Sequence, residues 1–194
     1  MFEFSKYQKA FFNAVETGTN NIMLNAVAGS GKTFTLLECM NLLKGKGSCI
    51  FACFNKSIQQ ELENKVPEHV ESKTLHSIGF SAIRQAFKGY IKVESRKLDW
   101  IMNKQAGTMF LDGMTDQEKA INYQKRDIVK SLVKSWKNTM IDFRNNEEVA
   151  GVAEHFGINY DTEILGIARN VMEKSIAQTN LIDFEDMIYL PIVK

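Results

Sequence analysis

Three cysteines are all that this chain of 194 residues carries. Cys39, Cys49 and Cys53 are odd in number, are not spaced as pairs and have no histidine at zinc-finger distance. That argues against a disulfide framework and a zinc ribbon, and the three read as small buried hydrophobes of a reducing compartment. An excess of one charge is lacking too, because 24 Lys and Arg meet 23 Asp and Glu. Any surface for nucleic acid or an anionic membrane must then be a local patch. No apolar run approaches a membrane span in length. The opening MFEFSKYQKAFF mixes charges with aromatics and has no small-residue cleavage site, so no signal peptide is read there. The expectation is a cytoplasmic protein without a membrane partner. With 44% hydrophobic residues it can bury the core of one large domain or two small ones.

Periodicity then divides the chain. Tyr7, Ala10, Phe11, Ala14 and Val15 recur at helical spacing, with Gly18 where that helix would end. NIMLNA (residues 21–26) reads as a short strand, and Leu36, Leu37, Met40 and Leu43 mark a helix broken by GKG at 45–47. SCIFACF (48–54) reads as a strand buried on both faces of a parallel sheet. A helix over about 57–66 stops before Pro67, ESKTLH is a third short strand, and SIGFSAIRQAF is another helix. Alternating strands and helices imply a parallel sheet with right-handed crossovers. After about residue 93 the pattern turns helical, with polar connections DGMTDQ and RNNEE, as far as about residue 175.

Between the first strand and its helix lies Ala26-Val27-Ala28-Gly29-Ser30-Gly31-Lys32-Thr33. It fits the G-x-x-x-x-G-K-[ST] phosphate loop, with Ala in place of the first Gly, and it has the strand-before, helix-after context that the loop requires. Glycines let backbone N–H groups converge on phosphates, and the helix N-terminus adds partial positive charge. Ala28 to Gly31 would wrap the phosphates of ATP, Lys32 would reach the β- and γ-phosphates, and the Thr33 hydroxyl would ligate Mg²⁺. A second element is missing, namely an apolar strand ending in Asp or Asp-Glu to handle the metal and water. Strand 48–54 is followed by Asn55, Asp142 lies in a helical stretch, and the apolar run near Asp183, Glu185 and Asp186 follows the acids instead of preceding them. That acidic trio reads as a helix start favoured by the dipole.

Taken together, several segments resemble superfamily 1 helicases of the UvrD/PcrA/Rep type. YQKAFFNAV is similar to that family's Q motif, AVAGSGKTFTLL to motif I, FACFNKSIQQEL to motif Ia and KTLHSIGFSAI to motif Ib. LIDFEDMIYLP resembles the segment that precedes the family's Asp-Glu motif, which would account for the missing acid if the chain is the front part of a helicase. The resemblance implies an α/β fold, a RecA-like P-loop NTPase core with a parallel sheet plus an all-α insertion. Residues 1–92 would be the first part of subdomain 1A, 93–175 a 1B-like insertion and 176–194 the return into 1A, with a second RecA-like domain still to come. It implies ATP and Mg²⁺ as cofactors and single-stranded or partly duplex DNA as partner. Gln8 would read the adenine edge beside Tyr7 or Phe4. Phe54, Asn55 and Lys56, then Thr74, His76 and Ser77, would contact DNA, although Leu75 stands where the family usually has Phe.

Arg126, Lys130, Lys134 and Lys137 form one stripe on a predicted helix whose core face carries Ile128, Val129, Leu132, Val133, Trp136 and Met140. The stripe is read as solvent-facing, either simply solvated or touching DNA phosphates. Two other functions remain open at this point. One is a self-contained P-loop phosphotransferase with Asp142 or Asp183 at the metal, and the other is a non-catalytic DNA-binding protein that keeps the loop.

Overall fold

The computed structural model describes residues 3–104 and 115–194, so part of the polar connection 112–117 lies outside the described residues. The chain divides into two compact units, Met1–Leu75 and His76–Lys194.

In the first unit, helix α1 (Lys6–Thr17) opens on a capping box. The Ser5 hydroxyl accepts from the Gln8 N–H, and the Gln8 side chain accepts from the Ser5 N–H at 2.9 Å. Gly18 ends the helix, its N–H donating to Ala14. Helix α2 (Lys32–Met40) follows the glycine loop and relaxes into a single 3₁₀ turn, Asn41–Leu43, ahead of Gly45. Strand β1 (Cys49–Cys53), helix α3 (Lys56–Glu63) and strand β2 (Val70–Thr74) form one crossover unit. The strands pair in parallel from Cys49 opposite Val70 to Cys53 opposite Thr74, a geometry that needs an intervening helix.

Two expectations fail here. Residues 21–26 form no strand, and β1 is not buried on both faces: Ile50 remains 48% exposed. Parallel strands hide both faces only when neighbouring strands and helices cover them. Among the described residues β1 pairs with β2 alone. Residues 21–26 make no ladder, and Met23 stays 89% exposed. The fold observed is mixed helix and sheet with small parallel sheets.

The second unit is mainly helical: α4 (Leu75–Ala86), α5 (Lys97–Lys104), α6 (Asp116–Thr139), α7 (Asn146–Phe156), α8 (Thr162–Ala177) and α9 (Asp186–Val193). Thr115 with Glu118, Asn145 and Asp161 cap α6, α7 and α8 through side-chain oxygens, satisfying N–H groups that have no partner within the helix. A strand pair missed in the sequence joins β3 (Lys92–Val93) to β4 (Leu181–Ile182) in parallel. Two residues each are too few to show a period-2 pattern. The core gathers Ile101, Met102, Val129, Leu132, Val133, Trp136, Val171, Met172, Ile182 and Leu190, all with no exposure. The expected apolar face of α6 supplies its centre. Helix α4 crosses α9 at Gly79, where a Cβ would stand 1.8 Å from the Met187 carbonyl oxygen.

Candidate functional site

The glycine loop folds as its composition demands. Gly29 and Gly31 hold φ of +75° and +82°, and an added Cβ at either would meet nothing within 4 Å. Glycine is required there by backbone conformation, not by crowding. Gly31 is the residue before α2, and its carbonyl accepts from the Thr35 N–H and the Thr35 hydroxyl at 2.9 and 3.0 Å. The Lys32 ammonium bends back over the loop, donating to the carbonyls of Ala26 and Val27 at 2.5 and 2.8 Å. Thr33 is exposed on the first turn of α2, and Ala28, Gly29 and Ser30 are open to solvent. Exposed backbone, a helix N-terminus and a movable cation together suit an anion.

Gln8 joins the same site. Its Nε2 donates to the Thr35 hydroxyl at 3.0 Å while its Oε1 serves the α1 capping box. One glutamine thus ties the start of α1 to the first turns of α2. A cavity of about 920 Å³ opens between them, lined by Tyr7, Gln8, Leu24, Gly29, Lys32 and Phe34 among others. Phe34 in turn stacks on Phe4, with ring centroids 6.2 Å apart.

A second group of predicted residues sits at the C-terminal edge of the β1–β2 pair. Cys53 and Thr74 are opposite each other in register, so Phe54 and Thr74 leave the sheet at one end, the end at which α/β sheets commonly bind ligands. Phe54 is 83% exposed and so does not belong to the core. Asn55 caps α3, its Oδ1 accepting from the Ile58 N–H at 2.9 Å, and Lys56 is exposed on the first turn.

His76 and Ser77 lie in the second unit, on the first turn of α4. The His76 ring stacks on Phe184, centroids 3.6 Å apart and planes 20° apart. Burial lowers the His76 pKa, against the pull of Glu185. Phe184 is 58% exposed and was assigned no role in the sequence, because its only signal there is a lone aromatic among acids.

The basic stripe of α6 is corrected by the structure. Lys137 has no exposed side-chain surface, and its Nζ lies 2.8 Å from Asp183 Oδ2 and 2.7 Å from Asp186 Oδ1. Arg126 is buried and bonded to Asn103 and Asp99 at 2.6 and 3.2 Å. Lys130 pairs with Asp99 and Asp127, and Lys134 with Glu185. Helical geometry gives the reason: Arg126 and Lys137 fall within about 40° of the core residue Val133, under the elements that pack on α6. The acids do stand at a helix start, Asp183 Oδ1 accepting at 2.9 Å from the N–H of Asp186, the first residue of α9. They are also half of a buried network with Lys137 and Lys97, whose Nζ is 2.6 Å from Asp186 Oδ2. Burial pushes the Asp183 carboxyl up, against Lys137. Burial pushes Asp186 up as well, but Lys137 and Lys97 outweigh it and hold that carboxyl below its ordinary range. Burial lowers the Lys97 ammonium, against Asp186. These acids are taken, and among the described residues no group of three His, Cys, Asp or Glu could hold a metal. Asp142 is exposed, its Oδ1 accepting from the Arg144 N–H. No helix among the described residues is long and apolar enough to cross a membrane.

Comparison with known proteins gives a family. The model of the UvrD/REP helicase N-terminal domain matches residues 7–193. F-box DNA helicase 1 of Gallus gallus is 26% identical over 122 residues, which are 60% of this chain and 12% of that protein. No solved structure matches.

Proposed function

The chain belongs to the UvrD/REP helicase N-terminal domain family, and from that premise we propose that it is the nucleotide- and DNA-binding front portion of an ATP-dependent DNA helicase or translocase. The observation that carries the reading is the single cavity shared by Gln8, the two left-handed glycines and Lys32. Its volume suits a nucleotide. In this reading the backbone N–H groups of 28–31, Ser30's exchanging the Val27 carbonyl for phosphate, and the α2 terminus cradle the phosphates. Lys32 exchanges its two loop carbonyls for phosphate oxygens. Gln8 keeps one N–H and one Oε1 lone pair unspent, enough for a two-point contact with the adenine edge, beside Tyr7 and Phe4. Thr33 is the residue of this site that would ligate Mg²⁺, which would neutralise phosphate charge when bound.

The finer architecture belongs to the same proposal. The parallel β1–α3–β2 crossover supports a RecA-like core, with 1–92 and 176–194 as subdomain 1A and 93–175 as its insertion. Exposed Phe54 offers a ring to any base, and Asn55, Lys56, Thr74, His76 and Ser77 would hold the strand's backbone, which suits a motor indifferent to sequence. Lys130 and Lys134 keep partly exposed side chains that could exchange their carboxylates for phosphates; the burial of Arg126 and Lys137 removes those two from this role.

The decisive experiment titrates the chain with a fluorescent ATP analogue and with labelled single-stranded DNA. Saturable binding of both is expected, with turnover near background, because the site's own residues supply a phosphate grip without a metal carboxylate. Vigorous hydrolysis, or phosphate transfer to a small acceptor without DNA, would refute it. The phosphotransferase alternative is further weakened by Asp183, whose carboxylate is buried against Lys137.

A further inference from the structure

A second cavity, of about 700 Å³, lies wholly within the unit His76–Lys194. Tyr90 and Trp100 stand on its wall, 84% and 36% exposed. Large rings left in water beside a cavity present stacking faces that the core does not use. Its acids are already matched. Glu94 lies 3.1 Å from the Lys92 ammonium, and Asp99 lies 3.2 and 3.4 Å from Arg126 and Lys130. Arg96 also lines the cavity and has no ion pair among the described residues, so its planar fork remains for an incoming anion.

Three amides, Asn103, Gln178 and Asn180, also line the wall, and two of them have hydrogen-bonding capacity to spare. Arg126 donates to Asn103 Oδ1 at 2.6 Å, which fixes that amide and turns its Nδ2 hydrogens to other use. The Gln178 Oε1 is closed to solvent and has no hydrogen-bond partner among the described residues, and an unsatisfied buried acceptor is a standing penalty that a ligand N–H would relieve once the side chain turns toward the cavity that it lines. The burial of Arg126 now has a purpose, since it braces two wall residues, Asp99 and Asn103.

An aromatic face, a guanidinium, an amide donor and an orphan acceptor are together the recognition set for a nucleotide. The rings stack a base and the guanidinium takes a phosphate. Every base offers an adjacent donor and acceptor on its edge, so the two amides would orient a base without selecting one. We infer that this cavity is a subsite for one nucleotide of single-stranded DNA, with the base on Tyr90 or Trp100, the phosphate on Arg96 and the base edge on Asn103 and Gln178. The inference rests on the DNA-binding reading above and adds to it a contact that no motif marks.

The chain reports on this site itself. Of its two tryptophans, Trp136 is fully buried and Trp100 is on the cavity wall. The test follows intrinsic fluorescence and the anisotropy of a labelled ten-residue oligothymidylate, with dTMP as the free nucleotide and Trp100→Phe as the blank. The oligonucleotide is expected to quench Trp100 saturably at the concentrations that raise anisotropy. Tyr90→Ala and Arg96→Ala, both surface changes, should each raise its Kd at least about fivefold. Normal anisotropy binding with unquenched Trp100, unaffected by both substitutions yet weakened by Phe54→Ala, would overturn the subsite and leave the helicase reading standing. Quenching by dTMP as strong as by the oligonucleotide would overturn the strand assignment in favour of a free nucleotide. No binding by either signal would sink both readings.

Discussion

Lys97 and Asp186, 89 residues apart, close an ion pair of 2.6 Å with neither side chain exposed to solvent. The same Lys97 ammonium donates to the Ser175 carbonyl at 2.8 Å and to that of Gln178 at 3.2 Å. With Lys137 and Asp183 it forms a network of two cations and two anions that pins α5, α6 and α9 together. Removing one member strands a buried charge, which commonly costs about 3–5 kcal/mol. Lys97→Met is therefore expected to destabilise the chain by about that much, read from the midpoint of urea unfolding. A loss under about 1 kcal/mol would mean that the network is hydrated in solution.

Acid should act on the same cluster with a definite sign. Lys137 and Lys97 hold the Asp186 carboxyl below its ordinary range despite its burial. A depressed carboxyl gives stability that is present above its unfolded value and lost as pH falls through its folded one, so loss begins below about pH 4. Asp183, pushed up by burial, takes up its proton more readily when folded and opposes that loss. Asp186→Asn should accordingly be less stable at neutral pH and show a flatter acid limb in unfolding curves collected from pH 7 to pH 3. An acid limb as steep as that of the wild type would assign the loss to other carboxylates.

Gly79 is expected to tolerate no side chain. Its missing Cβ would meet the Met187 carbonyl oxygen at 1.8 Å, and that oxygen belongs to backbone that cannot rotate away. Gly79→Ala should cost about 3 kcal/mol as the helices are forced apart, whereas Gly151→Ala, inside α7 with nothing within 4 Å, should stabilise by about 0.5–1 kcal/mol. Thermal melts of the two variants side by side would decide it.

Gln8→Ala should show two effects at once. The reciprocal half of the capping box, the bond from the Ser5 N–H to the Gln8 side chain, is lost while the Ser5 hydroxyl keeps the backbone N–H of residue 8, and the bridge to Thr35 is lost with it. Nucleotide affinity should fall for adenine nucleotides more than for inorganic triphosphate, while Lys32→Ala should weaken both. An equal loss for the two ligands in Gln8→Ala would show that Gln8 acts only through the loop's shape.

Phe54→Ala is expected to weaken single-stranded DNA binding about tenfold, within the range for one lost base stack. It should leave stability nearly unchanged, because the ring is 83% exposed. Phe184→Ala tests whether the ring stacked on His76 also contacts DNA. Unaltered DNA affinity there would confine its role to holding His76.

Local chemistry explains which parts could be read in advance. The glycine loop, the end of α1 at Gly18 and the apolar face of α6 depend on residues within a few positions of one another. So does the family resemblance, which is itself a string of short segments in order. The strand expected at 21–26 failed because a strand is completed by a neighbour, and no periodicity within NIMLNA states whether one pairs with it. Pairing of β3 with β4 was invisible because the partners stand 89 residues apart.

The sequence by itself determined the glycine loop and the helical character of the second unit, since each follows from backbone preference or short-range periodicity. Only the tertiary structure decided what the charges of α6 and of Asp183 to Asp186 are for. A lysine reads identically whether it faces water or a carboxylate, and burial is a property of what packs over it. Lys137 met Asp183 and Asp186, Arg126 met Asp99 and Asn103, and two members of a stripe read as solvent-facing became the interior brace of a fold.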